Sequence, residues 1–250
     1  MKTPFAVLAS LCFALIAAEP ELKPGQQPAQ LDADVTFHAH LDYLLFLPEK
    51  YGQDDKKWPL ILFLHGSGER GSDIDKVKVN GPPKIVEKKK DLPFIVISPQ
   101  CPAGENWDVR VLNKLLDDAI AKYHVDPERV YLTGLSLGGG GTWRWAAANP
   151  ERFAAIVPIA GFGDAKLGAK LKHVSVWAFH GQKDPSVKVS ESEKLVEAVK
   201  AAGGDAKLTI YPEAFHDVWT ETYDNPDVYT WLLEHTRWKE GKEGEGKKDK

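Results

Sequence analysis

Short apolar runs alternate with helical patterns through the middle of the chain. Residues 60–64, 94–97, 130–133, 155–159 and 174–179 are runs of four to six residues that are continuously or nearly continuously apolar. A strand wetted on one face alternates, whereas one covered on both faces does not, so these runs predict parallel strands buried between helices. Residues 207–211 alternate more and belong nearer an edge. Residues 35–39 and 43–47 read as two strands joined by a short turn, an antiparallel start to the same sheet.

Between the strands, Leu112, Leu115, Leu116, Ala119, Ile120 and Tyr123 recur at helical spacing. A second helix opens on Ser190 and Glu193, the spacing of a capping box. It carries Leu195, Val196 and Val199 and stops at Gly203-Gly204. A third opens on Asn225-Pro226 and runs to about His235, with Val228, Trp231 and Leu232 inward. Strand and helix in alternation predict an α/β fold with a mostly parallel central sheet and helices on both faces. Only residues 160–173 separate two of the core strands, which leaves no room for a large cap domain.

The ends differ from the middle. Lys2 precedes an apolar run from Phe5 to Ala18, broken only by Ser10, and Ala17-Ala18 precede Glu19-Pro20. That is the layout of a cleavable export signal over residues 1–18, too short to span a bilayer. A secreted or periplasmic protein without stable membrane insertion after signal cleavage is the expectation, with an uncleaved anchor as the alternative. Residues 19–33 read as a flexible leader and 239–250 as a disordered charged tail, leaving 34–238 as one domain. Loss of the signal removes Cys12 and leaves Cys101 alone, expected to be a packed thiol rather than half of a disulfide. A net charge of −4 supplies no basic field for nucleic acid. No H-E-x-x-H or cysteine-rich set is present, so neither a metal nor a cofactor is expected.

The candidate chemistry lies on the loops that follow the strands. Gly134-Leu135-Ser136-Leu137-Gly138 is a G-x-S-x-G pentapeptide placed between a strand and a helical stretch, the setting of a nucleophile elbow. Four consecutive glycines, Gly138 to Gly141, open that helix at roughly 0.8–1 kcal/mol each relative to alanine, so close approach of another backbone or a substrate is expected there. A serine hydroxyl needs a base and an orienting acid. His216 and Asp184 stand on later strand-end loops in the chain order Ser, acid, His, with Asp164 as the competing acid one strand earlier. The N–H of Leu137 and the glycine-rich loop His65-Gly66-Ser67-Gly68 are the expected oxyanion donors, Ser67 first and Gly68 second. Glu69 and Arg70 are expected to pair and brace that loop. His65 and His180 are expected to orient loops, and Trp107 and Trp219 either to offer stacking faces to substrate or to serve as packing.

These segments, with Pro99-Gln100-Cys101-Pro102, Phe179-His180-Gly181 and His216-Asp217-Val218-Trp219, resemble exported α/β hydrolases of the phospholipase/carboxylesterase-like group. That group is similar to carbohydrate and feruloyl esterases and polyhydroxybutyrate depolymerases. The resemblance covers about residues 35–237, with Lys188 standing where relatives commonly carry proline. It implies a serine esterase acting through an acyl-enzyme, with acyl esters on plant polysaccharide as the favoured substrate. A serine peptidase using the same three residues and a non-catalytic binding module are the alternatives.

Overall fold

The computed structural model describes residues 38–239. The export signal, the leader, most of the strand expected at 35–39 and nearly all of the charged tail lie outside the described residues. Seven strands form one sheet in the order β1-β3-β2-β4-β5-β6-β7. They are β1 (Tyr43–Phe46), β2 (Trp58–Leu64), β3 (Ile95–Pro99), β4 (Val125–Leu135), β5 (Ala155–Ile159), β6 (Ser175–Gly181) and β7 (Ala206–Tyr211). Only β1 runs antiparallel, pairing with β3 through Tyr43↔Pro99 to Phe46↔Val96. The more alternating β7 is the opposite edge, as its pattern predicts.

Alternation within each strand feeds two cores. Leu60, Leu62 and Leu64 join Ile95 and Ile97 against α2 (Val109–Lys122), α3 (Leu137–Ala148) and α5 (Ser190–Ala201). Ile61, Phe63, Val96 and Val157 face the other way, against α1 (Gly81–Lys88), α6 (Trp219–Asp224) and α7 (Pro226–Leu233). Every residue of β2, β3 and β5 is buried, which is why those runs lack polar positions. The link between β5 and β6 holds only the single turn α4 (Ala165–Gly168), so no large cap covers the carboxyl edge.

Two local expectations change. Ser190 is the first residue of α5 rather than its cap. The residue before it, Val189, is already helical and no side chain caps the turn. The helix does stop where expected: Gly203 has φ +79° and Gly204 N–H closes back on Val199 O at 2.9 Å. The strand expected at 130–133 begins at Val125, because Trp58 pairs with Val125 across a register shift before the regular ladder resumes at Leu60↔Val130.

Candidate active site

The sharp turn between β4 and α3 sets the geometry of the elbow. Ser136 has φ 53° and ψ −113°, a conformation that L-residues adopt only when the surroundings impose it. Its N–H is held by Ile159 O at 2.9 Å and its carbonyl accepts from Gly140 N–H at 3.0 Å. The glycines make the turn compatible with its neighbours. A Cβ at Gly138 would stand 1.9 Å from Leu64 O, and one at Gly141 2.7 Å from Cδ1 of Trp107. The glycine run therefore serves close packing against the sheet and an indole.

The structure brings three of the expected residues together. His216 Nε2 lies 2.9 Å from Ser136 Oγ, and His216 Nδ1 lies 2.6 Å from Asp184 Oδ2. Asp184 Oδ1 also accepts from the N–H groups of Ser186 and Val187 at 2.8 and 2.9 Å. Burial alone pushes the Asp184 carboxyl up. The His216 bond and the Val187 and Ser186 N–H groups outweigh that effect and hold it below the usual carboxylate range. With Asp184 ionised, Nδ1 of His216 carries the proton and Nε2 faces the serine hydroxyl as an acceptor. Asp164 takes no part: it is exposed and accepts from Lys166 N–H at 2.8 Å at the start of α4.

The loop after β2 is set by His65, which is fully buried. Its Nε2 accepts from Cys101 N–H at 2.9 Å, so Nδ1 carries the proton and donates to Gly66 O at 2.6 Å. Burial lowers the His65 pKa, which keeps this tautomer neutral. The Gly66–Ser67 peptide is trans, so a carbonyl turned toward His65 turns the Ser67 N–H the opposite way. Leu137 is the first residue of α3, where an N–H has no intrahelical acceptor. Ser67 and Gly68 are both exposed in one 3-10 turn, Ser67–Glu69.

Two expectations are corrected here. Glu69 and Arg70 do not pair with each other. The Glu69 carboxylate is buried and accepts from Asn80 Nδ2 at 2.8 Å, whereas Arg70 bonds Ser67 O and Glu105 O. Trp107 is 6% exposed, its ring edge-on to His65 at 4.8 Å, so it packs beneath the loop and presents no stacking face. Trp219 is half-buried, perpendicular to His216 at 5.2 Å between ring centroids, and walls the imidazole. Cys101 is buried as expected, its thiol pushed up to about 11 by burial.

Sequence reasoning passed over two residues. Phe215, 63% exposed, stands directly before His216; an apolar residue amid a polar turn was its only signal. Ser192 is buried on α5, 2.7 Å from His180 Nδ1, and only the three-dimensional structure reveals it. Among the described residues no group of three or more acidic, histidine or cysteine side chains is arranged to hold a metal ion.

A mostly parallel sheet with a strained serine at the turn after a central strand defines the α/β-hydrolase class. Within that class the chain belongs to the dienelactone hydrolase family, whose model matches residues 103–238. Similar sequences include a carboxymethylenebutenolidase-like protein of Salmonella typhimurium, 31% identical over 36% of this chain and 37% of that one. The bifunctional acetylxylan esterase/xylanase of Neocallimastix patriciarum is 25% identical over 69% of this chain and 26% of its own length. This chain thus spans well under half of either relative. Among solved structures, a thermostable esterase matches with a TM-score of 0.69 and 33% identity, over 79% of this chain and 60% of that one.

Proposed function

We propose that this protein hydrolyses carboxylic esters through an acyl-enzyme on Ser136. The observation that carries the reading is the continuous hydrogen-bonded chain from Ser136 Oγ through His216 to the buried Asp184 carboxylate, at 2.9 and 2.6 Å. In this reaction Ser136 Oγ attacks the ester carbonyl while His216 Nε2 takes its proton. The tetrahedral oxyanion is met by the N–H groups of Leu137 and Ser67, each worth about 2.7–4 kcal/mol in such sites. His216 returns the proton to the leaving alcohol, and water then repeats the sequence to release the acid. Asp184 orients the imidazole and stabilises its protonated form.

For the substrate we favour acyl esters on polysaccharide. The similarity to acetylxylan esterases of Neocallimastix patriciarum and Emericella nidulans supports this choice. So do the absence of a large cap and the exposed Phe215 ring beside His216, which suit an ester on a bulky carrier. Export follows the pattern of residues 1–18 and suits a polymer met outside the cell.

The test is hydrolysis of p-nitrophenyl acetate and of acetylated xylan, with a peptide p-nitroanilide panel alongside. Ser136→Ala is expected to lower kcat at least about a thousandfold and to abolish fluorophosphonate labelling. A folded parent that neither turns over esters nor labels would overturn the reading and favour a binding module. Turnover of peptides in preference to esters would make it a peptidase.

A further inference from the structure

Asp184 has a second imidazole on it. Oδ2, which takes His216 Nδ1 at 2.6 Å, also lies 3.3 Å from Nε2 of His180. His180 sits near the carboxyl end of β6, four residues before Asp184, and is fully buried. Its Nε2 faces two acceptors, Asp184 Oδ2 and the Val187 carbonyl at 2.9 Å, so a ring with one proton carries it on Nε2. Nδ1 is then an acceptor, and the Ser192 hydroxyl donates to it from 2.7 Å. A buried histidine that only packed would need one partner on each nitrogen. This ring has those two, Ser192 and Val187 O, and in addition its Nε2 stands 3.3 Å from the proposed acid of the active site.

We propose that His180 is a positioning residue for the reaction, its Nε2–H shared between Val187 O and Asp184 Oδ2. In this way it fixes the carboxylate rotamer and takes up part of the charge that Asp184 presents to His216. Ser192 holds His180 in the tautomer this requires. The proposal rests on the reading of Ser136, His216 and Asp184 given above. A carboxylate oxygen with one imidazole donor gives that imidazole its full charge and raises its basicity, whereas a second donor divides the effect.

The other charged groups nearby are engaged elsewhere. Glu191 on α5 feels His180 but bonds Lys194 and Gly163 N–H. Lys183 and Glu213 pair with each other at the surface. Asp217, exposed beside His216, accepts from Thr220. Replacing His180 therefore removes one close side-chain neighbour of Asp184 and leaves the others in place.

The experiment compares His180→Met, which removes the donor at similar volume, with His180→Gln, which places an amide N–H near the position of Nε2. With p-nitrophenyl acetate, His180→Met is expected to lower kcat about ten- to hundredfold with KM within about twofold. The acid limb of kcat/KM moves to higher pH, because Asp184 then acts on His216 alone. His180→Gln recovers most of both, and Ser192→Ala moves both in the same direction by less. Parental kcat and pH profile in His180→Met would overturn the proposal. A fall in kcat at an unmoved acid limb, unrelieved by glutamine, would also overturn it and leave a packing role. Should His180→Met fail to fold, Ser192→Ala decides, and a parental profile there is the overturning result. If the parent itself neither hydrolyses esters nor labels with fluorophosphonate, the active-site reading fails separately. The NMR titration of His216 in folded parent and variant then tests the contact alone: a raised midpoint supports it and an unchanged one overturns it.

Discussion

Asp184 and Asp164 both follow strands of the same sheet, and their surroundings assign them different work. Asp184 is 7% exposed and accepts from His216 and two backbone N–H groups, while Asp164 is exposed and caps one turn of helix. Asp184→Asn would present an amide to His216, stabilise the wrong tautomer and lower kcat by about 10⁴. Asp164→Asn keeps its cap and is expected to leave kcat within about twofold of the parent. Steady-state kinetics on the two variants separates them. The same contrast governs acid stability. The Asp184 pKa is depressed on folding, so its contribution is fully present above the unfolded value of about 3.9 and is lost as pH falls through the lower folded value. Thermal melts between about pH 5 and 2 are expected to fall less steeply for Asp184→Asn than for the parent.

At the scale of elements, the glycine run of α3 ties packing to chemistry. Gly141→Ala gains about 1 kcal/mol of helix propensity. Its Cβ, however, falls 2.7 Å from Trp107 and 3.0 Å from a Leu64 methyl, an overpacking that costs about 1–3 kcal/mol. Because Trp107 packs on His65, which holds Gly66 O, the displaced indole disturbs the proposed oxyanion loop as well. The variant is expected to show both a lower urea midpoint and a lower kcat. This dependence also marks what the sequence makes legible. The strands, α2, the elbow and the order Ser136, Asp184, His216 follow from periodicity and chain order, because each is a local pattern on a strand-end loop. The burial of Trp107 and the Asn80 partner of Glu69 do not, because both arise from packing between segments far apart in the chain. Nor does α1, which opens on Gly81-Pro82-Pro83, with proline at the first positions of the helix, and spans only eight residues. At six residues, α6 is too short to leave a periodic signature.

Across the described residues, the proposed active site lies at one end of the sheet and a surface ion-pair network at the other. The strands deliver Ser136, Asp184 and His216 at their carboxyl ends. The opposite end is closed by the segment after α7, where Tyr131 Oη donates to His235 O and Arg237 bonds Glu128 and Glu151 O. Lys239 adds a second cation to Glu128 at 2.7 Å. Glu128 is about one-third exposed, so solvent screens the network and its worth is about 1 kcal/mol. Glu128→Ala is expected to lower Tm by about 2–4 °C with kcat unchanged, checked by calorimetry beside an ester assay.

The left-handed backbone of Ser136 has a consequence for how this protein can evolve. A side chain held at φ 53° costs about 1–3 kcal/mol that a glycine would largely avoid, although glycine gives back part of this through a freer unfolded chain. Ser136→Gly should therefore be catalytically dead and yet melt at or above the parental temperature. Selection for thermal robustness alone would favour glycine there, so a serine at this position fits the proposed nucleophile, whose chemistry would offset the strain.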